Sequence, residues 1–168
     1  MKQQGIDITR ASGGDEAAVN KQVEVQSKLF QILREEKDSA VAEKRIREML
    51  GSLPGAEQQA HAAVSPTVRE LIAYDPATVL RNLACPVLAM DGTLDLQVSA
   101  KQNLPAIAAA LAESKSGNWE VVDLPGLNHL FQTAKTGNVP EYSTIEETIS
   151  PLALRTIGDW LQRIAARP

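Results

Sequence analysis

The chain predicts an α/β fold whose core is a βαβ unit, and three observations carry that expectation. Two short apolar runs, Val87–Met90 and Trp119–Leu124, read as strands. Between them, Leu104–Glu113 is rich in Ala and Leu and reads as a helix. Strand, helix, strand over this span is the crossover that joins parallel strands. Parallel strands end at the same edge of the sheet, where open α/β sheets place their chemistry. Asp95 follows the first run and His129 follows the second, so the two side chains are expected to meet in one crevice.

The elements around this unit follow from local chemistry. Pro86 suits the start of a strand, where its missing N–H costs no ladder bond. Val87–Met90 is continuously apolar, as expected of a strand covered on both faces. Asp91 reads as the residue that ends it. Ser99 with Gln102 fits a capping box, but Asn103 is the preferred helix start. A Pro105 deeper inside a helix would cost ~3 kcal/mol. After His129 comes a polar segment, Thr133–Ser150, holding Gly137 and Pro140. Ser150-Pro151 then starts the last helix, with Leu154, Ile157, Leu161 and Ile164 along one face and Trp160 beside them.

Residues 1–83 read as helices without a strand. Residues 1–14 look like a helix end followed by a Gly-Gly turn, and Asp15 can cap the next helix. Val19, Val23, Phe30 and Leu33 recur near helical spacing, and Val25, Leu29 and Ile32 widen the stripe. Ser39 opens a helix with Ile46, Met49 and Leu50 on its apolar side, and Gly51 stops it. Shorter helices are expected over Ala56–Ala63, after Ser65-Pro66 and after Asp75-Pro76. The change from all-helix to α/β at 83/84 is the internal boundary.

Composition narrows the class. A chain of 168 residues supports one domain with a real core. The net charge of −4 disfavours nucleic acid and anionic membranes, since neither would gain from counterion release. Cys85 is the single cysteine, so no internal disulfide can form and a reducing, cytoplasmic setting is expected. No signal peptide is apparent, and the longest apolar run, Ile107–Ala112, is far short of the ~20 residues that span a bilayer. Two histidines and one cysteine offer no metal-ligand spacing, and no cofactor is expected. Cys85 is a poor nucleophile candidate, because it precedes a strand of ~17–20 Å that His129's partner follows. It reads as a small buried hydrophobe. His61 reads as a solvated helix residue, Arg34–Lys37 as a solvated helix end, and Trp119 and Trp160 as core.

A carboxylate beside a histidine fixes the imidazole tautomer and stabilises the imidazolium formed when it takes a proton. Acid before histidine, each after a strand, is the chain order of α/β-hydrolases. The run CPVLAMDGTLDLQVSAKQNLPAI resembles the acid-bearing segment of that superfamily. DLPGLNHLFQTAKTGNVPEYSTIEETISP resembles its histidine-bearing segment, in the wording of bacterial esterase-like and serine-aminopeptidase-like members. Residues 1–83 are similar to the helical cap that precedes the acid-bearing strand. The resemblance implies a partial α/β-hydrolase fold: a helical cap-like region over 1–83 and the α/β region over 84–168. It implies Asp95 as the acid, His129 as the general base, and Gly92 as the turn that aims Asp95. It places Leu127 and Asn128, just before the histidine, at substrate-binding positions.

The chain departs from the family in one large respect. None of its ten serines lies in G-x-S-x-G, and the family's oxyanion-hole segment is missing. It reads as the C-terminal portion of a hydrolase, inactive alone because most of the rate enhancement lies in the missing parts. Two further readings stand beside this one: half of a split hydrolase completed by a separate nucleophile-bearing chain, and a non-catalytic binding or scaffolding homodimer. Two strands are too few to stand alone, and an unpaired strand edge invites a second copy, so a homodimer or other oligomer is expected.

Overall fold

The computed structural model describes residues 2–166; Met1, Arg167 and Pro168, at the outer ends of the two sequence regions, lie outside the described residues. The described residues are mixed helix and strand, mostly helical, with one small sheet. Among the described residues eight α-helices run in order: α1 Lys2–Ala11, α2 Glu16–Glu35, α3 Ser39–Leu50, α4 Ala56–Ala63, α5 Pro66–Ala73, α6 Pro76–Arg81, α7 Ala100–Ala112 and α8 Pro151–Ala165. The strands are β1, Val87–Gly92, and β2, Trp119–Leu124. A 3₁₀ turn spans Val139–Thr144. None of the described helices is long and apolar enough to cross a membrane.

Packing divides the chain into two compact units. One is Glu16–Asp75, and the other joins Gln3–Asp15 to the chain from Pro76 onward. Composition breaks at 83/84, whereas packing breaks at 75/76 and gives α1 to the α/β unit. The difference arises because α6 packs on α7, a contact between helices that composition cannot register.

The unit of α2–α5 is held by one apolar cluster. Ile32 and Leu33 of α2, Ala42, Ile46 and Leu50 of α3, and Ala60 and Ala63 of α4 are buried together. Ala42 and Ala60 are fully buried, and their lack of bulk lets the helix backbones approach. Burying Ile46 alone contributes about 1.5–3 kcal/mol. Helix α3 opens at Ser39 as expected, and its cap is Asp38, whose carboxylate accepts from the N–H groups of Ala40 and Val41. Ser65 caps α5 through Val68 N–H, with Pro66 in the first turn. Arg69 donates to the carbonyls of Leu33 and Glu36, closing the C-terminal end of α2.

In the α/β unit, β1 and β2 pair in parallel, Val87 opposite Trp119 through Gly92 opposite Leu124. β1 runs two residues beyond the apolar run and takes in Asp91 and Gly92. Helix α7 packs on one face of the pair. On the other face Met90, Val122 and Leu124 meet Leu152 and Ala153 of α8. Among the described residues, no strand pairs with the second edge of β1.

Four expectations are corrected here. Helix α7 starts at Ala100 after Ser99, not at Asn103, and Pro105 lies inside it. Pro105 removes the N–H that would bond the Lys101 carbonyl, and both residues line an open cleft rather than a packed core. Asn103 instead donates from its amide to the Ser99 carbonyl. Cys85 is exposed rather than buried, because it lies in the loop before β1 and outside both apolar clusters. Trp119 is not core: it is 37% exposed at the start of β2 and lines the same cleft. The stripe on α8 is not a buried face, with Leu154 55%, Ile157 37% and Leu161 53% exposed. A two-stranded sheet is too narrow to cover it, and the small side of the helix, at Ala153, takes the contact instead.

Candidate functional site

The site forms where the loops leaving β1 and β2 run side by side. Two backbone bonds join them, Thr93 N–H to the Leu124 carbonyl and Leu94 N–H to the Leu127 carbonyl, while Asp95 N–H bonds back to the Gly92 carbonyl within its own loop. Thr93 Oγ1 also accepts from Gly126 N–H. Gly92 makes this approach possible, since a Cβ there would overlap the Leu127 carbonyl. Gly137, in the left-handed region, presses against the Leu94 backbone in the same way. Glu141 anchors the segment around Gly137 by accepting from the N–H groups of Lys135, Thr136 and Gly137 and from the Thr136 hydroxyl. Those four donors pull its carboxyl down to about 2.

The geometry brings Asp95 and His129 together. His129 Nδ1 lies 2.8 Å from Asp95 Oδ2. The Asp95 side chain is 4% exposed and the His129 ring 37%. Asp95 Oδ1 accepts from the N–H groups of Gln97 and Val98, each at 2.8 Å. An ionised carboxylate only accepts, so the bonded imidazole proton sits on Nδ1. That tautomer leaves the Nε2 lone pair free, and among the described residues Nε2 has no hydrogen-bond partner.

Asn128 and Leu127, expected at substrate-binding positions, are both turned inward. Asn128 is fully buried: its Oδ1 accepts from Leu130 and Gln132 N–H, and its amide donates to Gln132 Oε1. These bonds close a tight turn with Phe131 at a positive φ of 56° and present His129 on its outside. Leu127 is 2% exposed and belongs to the cluster between sheet and α8. Asn128 thus shapes the histidine turn. A short amide just before a histidine, able to accept from backbone N–H groups beyond it, is the signal that points to this role.

Asp91, read from the sequence as the residue that ends the first strand, is a further member of the cluster. Asp91 is 7% exposed near the end of β1, and its carboxyl stands within hydrogen-bonding reach of Asp95. Burial first, and the neighbouring Asp95 second, push it up to about 7. The signal was the strand itself: if β1 is covered on both faces, an acid at its end is covered too.

A cleft of about 910 Å³ opens beside Asp95. Leu104, Pro105 and Ala108 of α7 and Trp119 and Val121 of β2 form its apolar walls, with Gln3 and Asp7 of α1 at the margin. Among the described residues, no group of three or more His, Cys, Asp or Glu is placed to hold a metal ion. His61, on α4, is 82% exposed beside Glu43 and takes no part in the site.

No family model, curated protein or solved structure matches the chain. Fold and site together define a mostly helical α/β protein that carries a buried carboxylate bonded to an imidazole beyond the ends of two parallel strands.

Proposed function

We propose that Asp95 and His129 are the acid and general base of an acyl-transfer site of the α/β-hydrolase kind, acting on a carboxylic ester or amide with water as the final acceptor. In this reading the βαβ unit is the site-bearing part of a partial α/β-hydrolase fold, and the N-terminal helices correspond to its cap. The observation that supports it above others is the 2.8 Å bond from His129 to a carboxylate that two backbone N–H groups already hold. Such a carboxylate fixes the imidazole and stabilises the imidazolium after Nε2 takes a proton. The proton comes from a nucleophile that this chain does not carry as G-x-S-x-G. A second polypeptide segment supplies the nucleophile and the oxyanion donors.

The test uses a serine-reactive phosphonate. Purified protein is expected to show no labelled residue and no ester turnover above free imidazole. In extracts of cells expressing the tagged chain, labelling is expected on a polypeptide that co-purifies with it, and to be lost with His129→Ala. Labelling that persists in His129→Ala would remove the base from the mechanism. Rapid turnover by the purified chain would show that it carries its own nucleophile.

A second reading, a homodimer that binds without catalysis, is favoured by the exposed Leu154, Ile157 and Leu161 on α8 and the unpaired edge of β1. Sedimentation at micromolar concentration is expected to give a dimer, and Leu154→Glu with Leu161→Glu a monomer. A monomeric wild-type protein would count against this reading.

A further inference from the structure

The acid–histidine pair has a third member that the proposed chemistry does not use. The Asp95 carboxylate offers about four acceptor directions. Three are taken: Gln97 and Val98 N–H on Oδ1, and His129 on Oδ2. The buried Asp91 carboxyl lies within hydrogen-bonding reach of Asp95. Asp91 Oδ1 is itself engaged, accepting from Gly92 N–H at 2.8 Å. Two bare carboxylates in contact and this well buried repel strongly, so one of them keeps a proton. Asp95 already accepts from three N–H groups, against one for Asp91. The proton therefore belongs on Asp91, whose free oxygen can donate to Asp95.

We propose that Asp91 is a positioning residue for the pair: as a neutral carboxylic acid it donates a hydrogen bond to Asp95, fills that carboxylate's last acceptor direction, and so sets its orientation toward His129. As a contribution to catalysis this rests on the acyl-transfer reading. The hydrogen bond itself does not.

The other charged groups nearby leave this pairing intact. β2 places Asp123 opposite Asp91 in register, but Asp123 is exposed and lines the cleft. Helix α7 brings one charged residue, Lys101, which also lines the cleft, and α1 brings Asp7 to its margin. His129 is the one cationic candidate acting on Asp91, and it opposes the effect of Asp95. When Asp91 loses its proton, the negative charge facing His129 rises and the donor to Asp95 disappears. The state of the histidine is thereby coupled to that of Asp91.

Nuclear magnetic resonance on the protein without substrate tests this. The Asp91 carboxyl carbon is expected to titrate at about 7. The His129 ring signals should carry a step at the same pH, with the exposed His61 as internal control. In Asp91→Asn, whose amide also donates, the His129 Nδ1–H signal should persist and the extra step should vanish. In Asp91→Ala the Nδ1–H signal should be lost to exchange. Were Asp91→Ala not to fold, the comparison of wild type with Asp91→Asn decides alone. An Asp91 carboxyl titrating in the usual aspartate range, or superimposable His129 curves in wild type and Asp91→Asn, would overturn the proposal. Because the readout involves no ester, its failure is distinguishable from failure of the phosphonate experiment.

Discussion

Gly92→Ala is expected to lower stability by about 3 kcal/mol or more, through overpacking against immobile atoms. The added methyl would overlap the Leu127 carbonyl and crowd the Asn128 carbonyl oxygen. Both obstacles are backbone, so no rotamer change relieves them. Moving that backbone breaks the bond from Leu94 N–H to the Leu127 carbonyl, which ties the acid loop to the histidine loop. The same substitution therefore separates Asp95 from His129. Urea unfolding followed by circular dichroism should show a midpoint lower by about 1–2 M. The His129 Nδ1–H resonance should disappear in any folded remainder. An unfolding curve matching wild type would show that the two loops do not touch at Gly92.

The second large effect is a stability that falls as pH rises from about 4 to about 7. Asp91 lies at about 7 in the folded protein, against 3.8 for an ordinary aspartate. Between those values the folded state keeps a proton that the unfolded chain has released. Protons then favour folding, so this contribution is complete below 3.8 and is lost as pH rises through about 7. One retained proton gives a slope approaching 1.4 kcal/mol per pH unit, or about 3–4 kcal/mol across the window. The sign is opposite to that of a carboxylate stabilised by its partners. Glu141 is of that second kind: its contribution is present above 4.5 and is lost as pH falls through about 2. The two windows share only the narrow range between 3.8 and 4.5. Chemical denaturation of wild type and Asp91→Asn at several pH values measures the difference. The wild-type curve should decline relative to the variant between pH 4 and 7, and parallel curves would refute a buried proton.

Much of the architecture was legible as local pattern. The strand β2 has the bounds of its apolar run, the Ser65-Pro66 and Ser150-Pro151 starts are capped helices, and Gly51 ends α3. The parallel pairing follows from the length of chain between the strands, because a crossover must carry a helix. Asp95 and His129 could be paired for the same reason. Proline misled at α7, where the penalty for Pro105 was weighed without knowing that Lys101 faces an open cleft. The α8 stripe misled too, since periodicity reports an apolar face and not whether anything covers it.

Sequence by itself determined the order of elements, the edge of the sheet from which the two loops leave, and which acid and which histidine lie there. Those are properties of spacing and backbone geometry, which act over a few residues at a time. Only the tertiary structure decided that Asn128 is spent on shaping the histidine turn, that Gly92 is required for lack of space, and that Asp91 is sealed beside Asp95. Each of these depends on what another strand or loop places against the residue, and burial converts such contact into energy that no linear pattern contains.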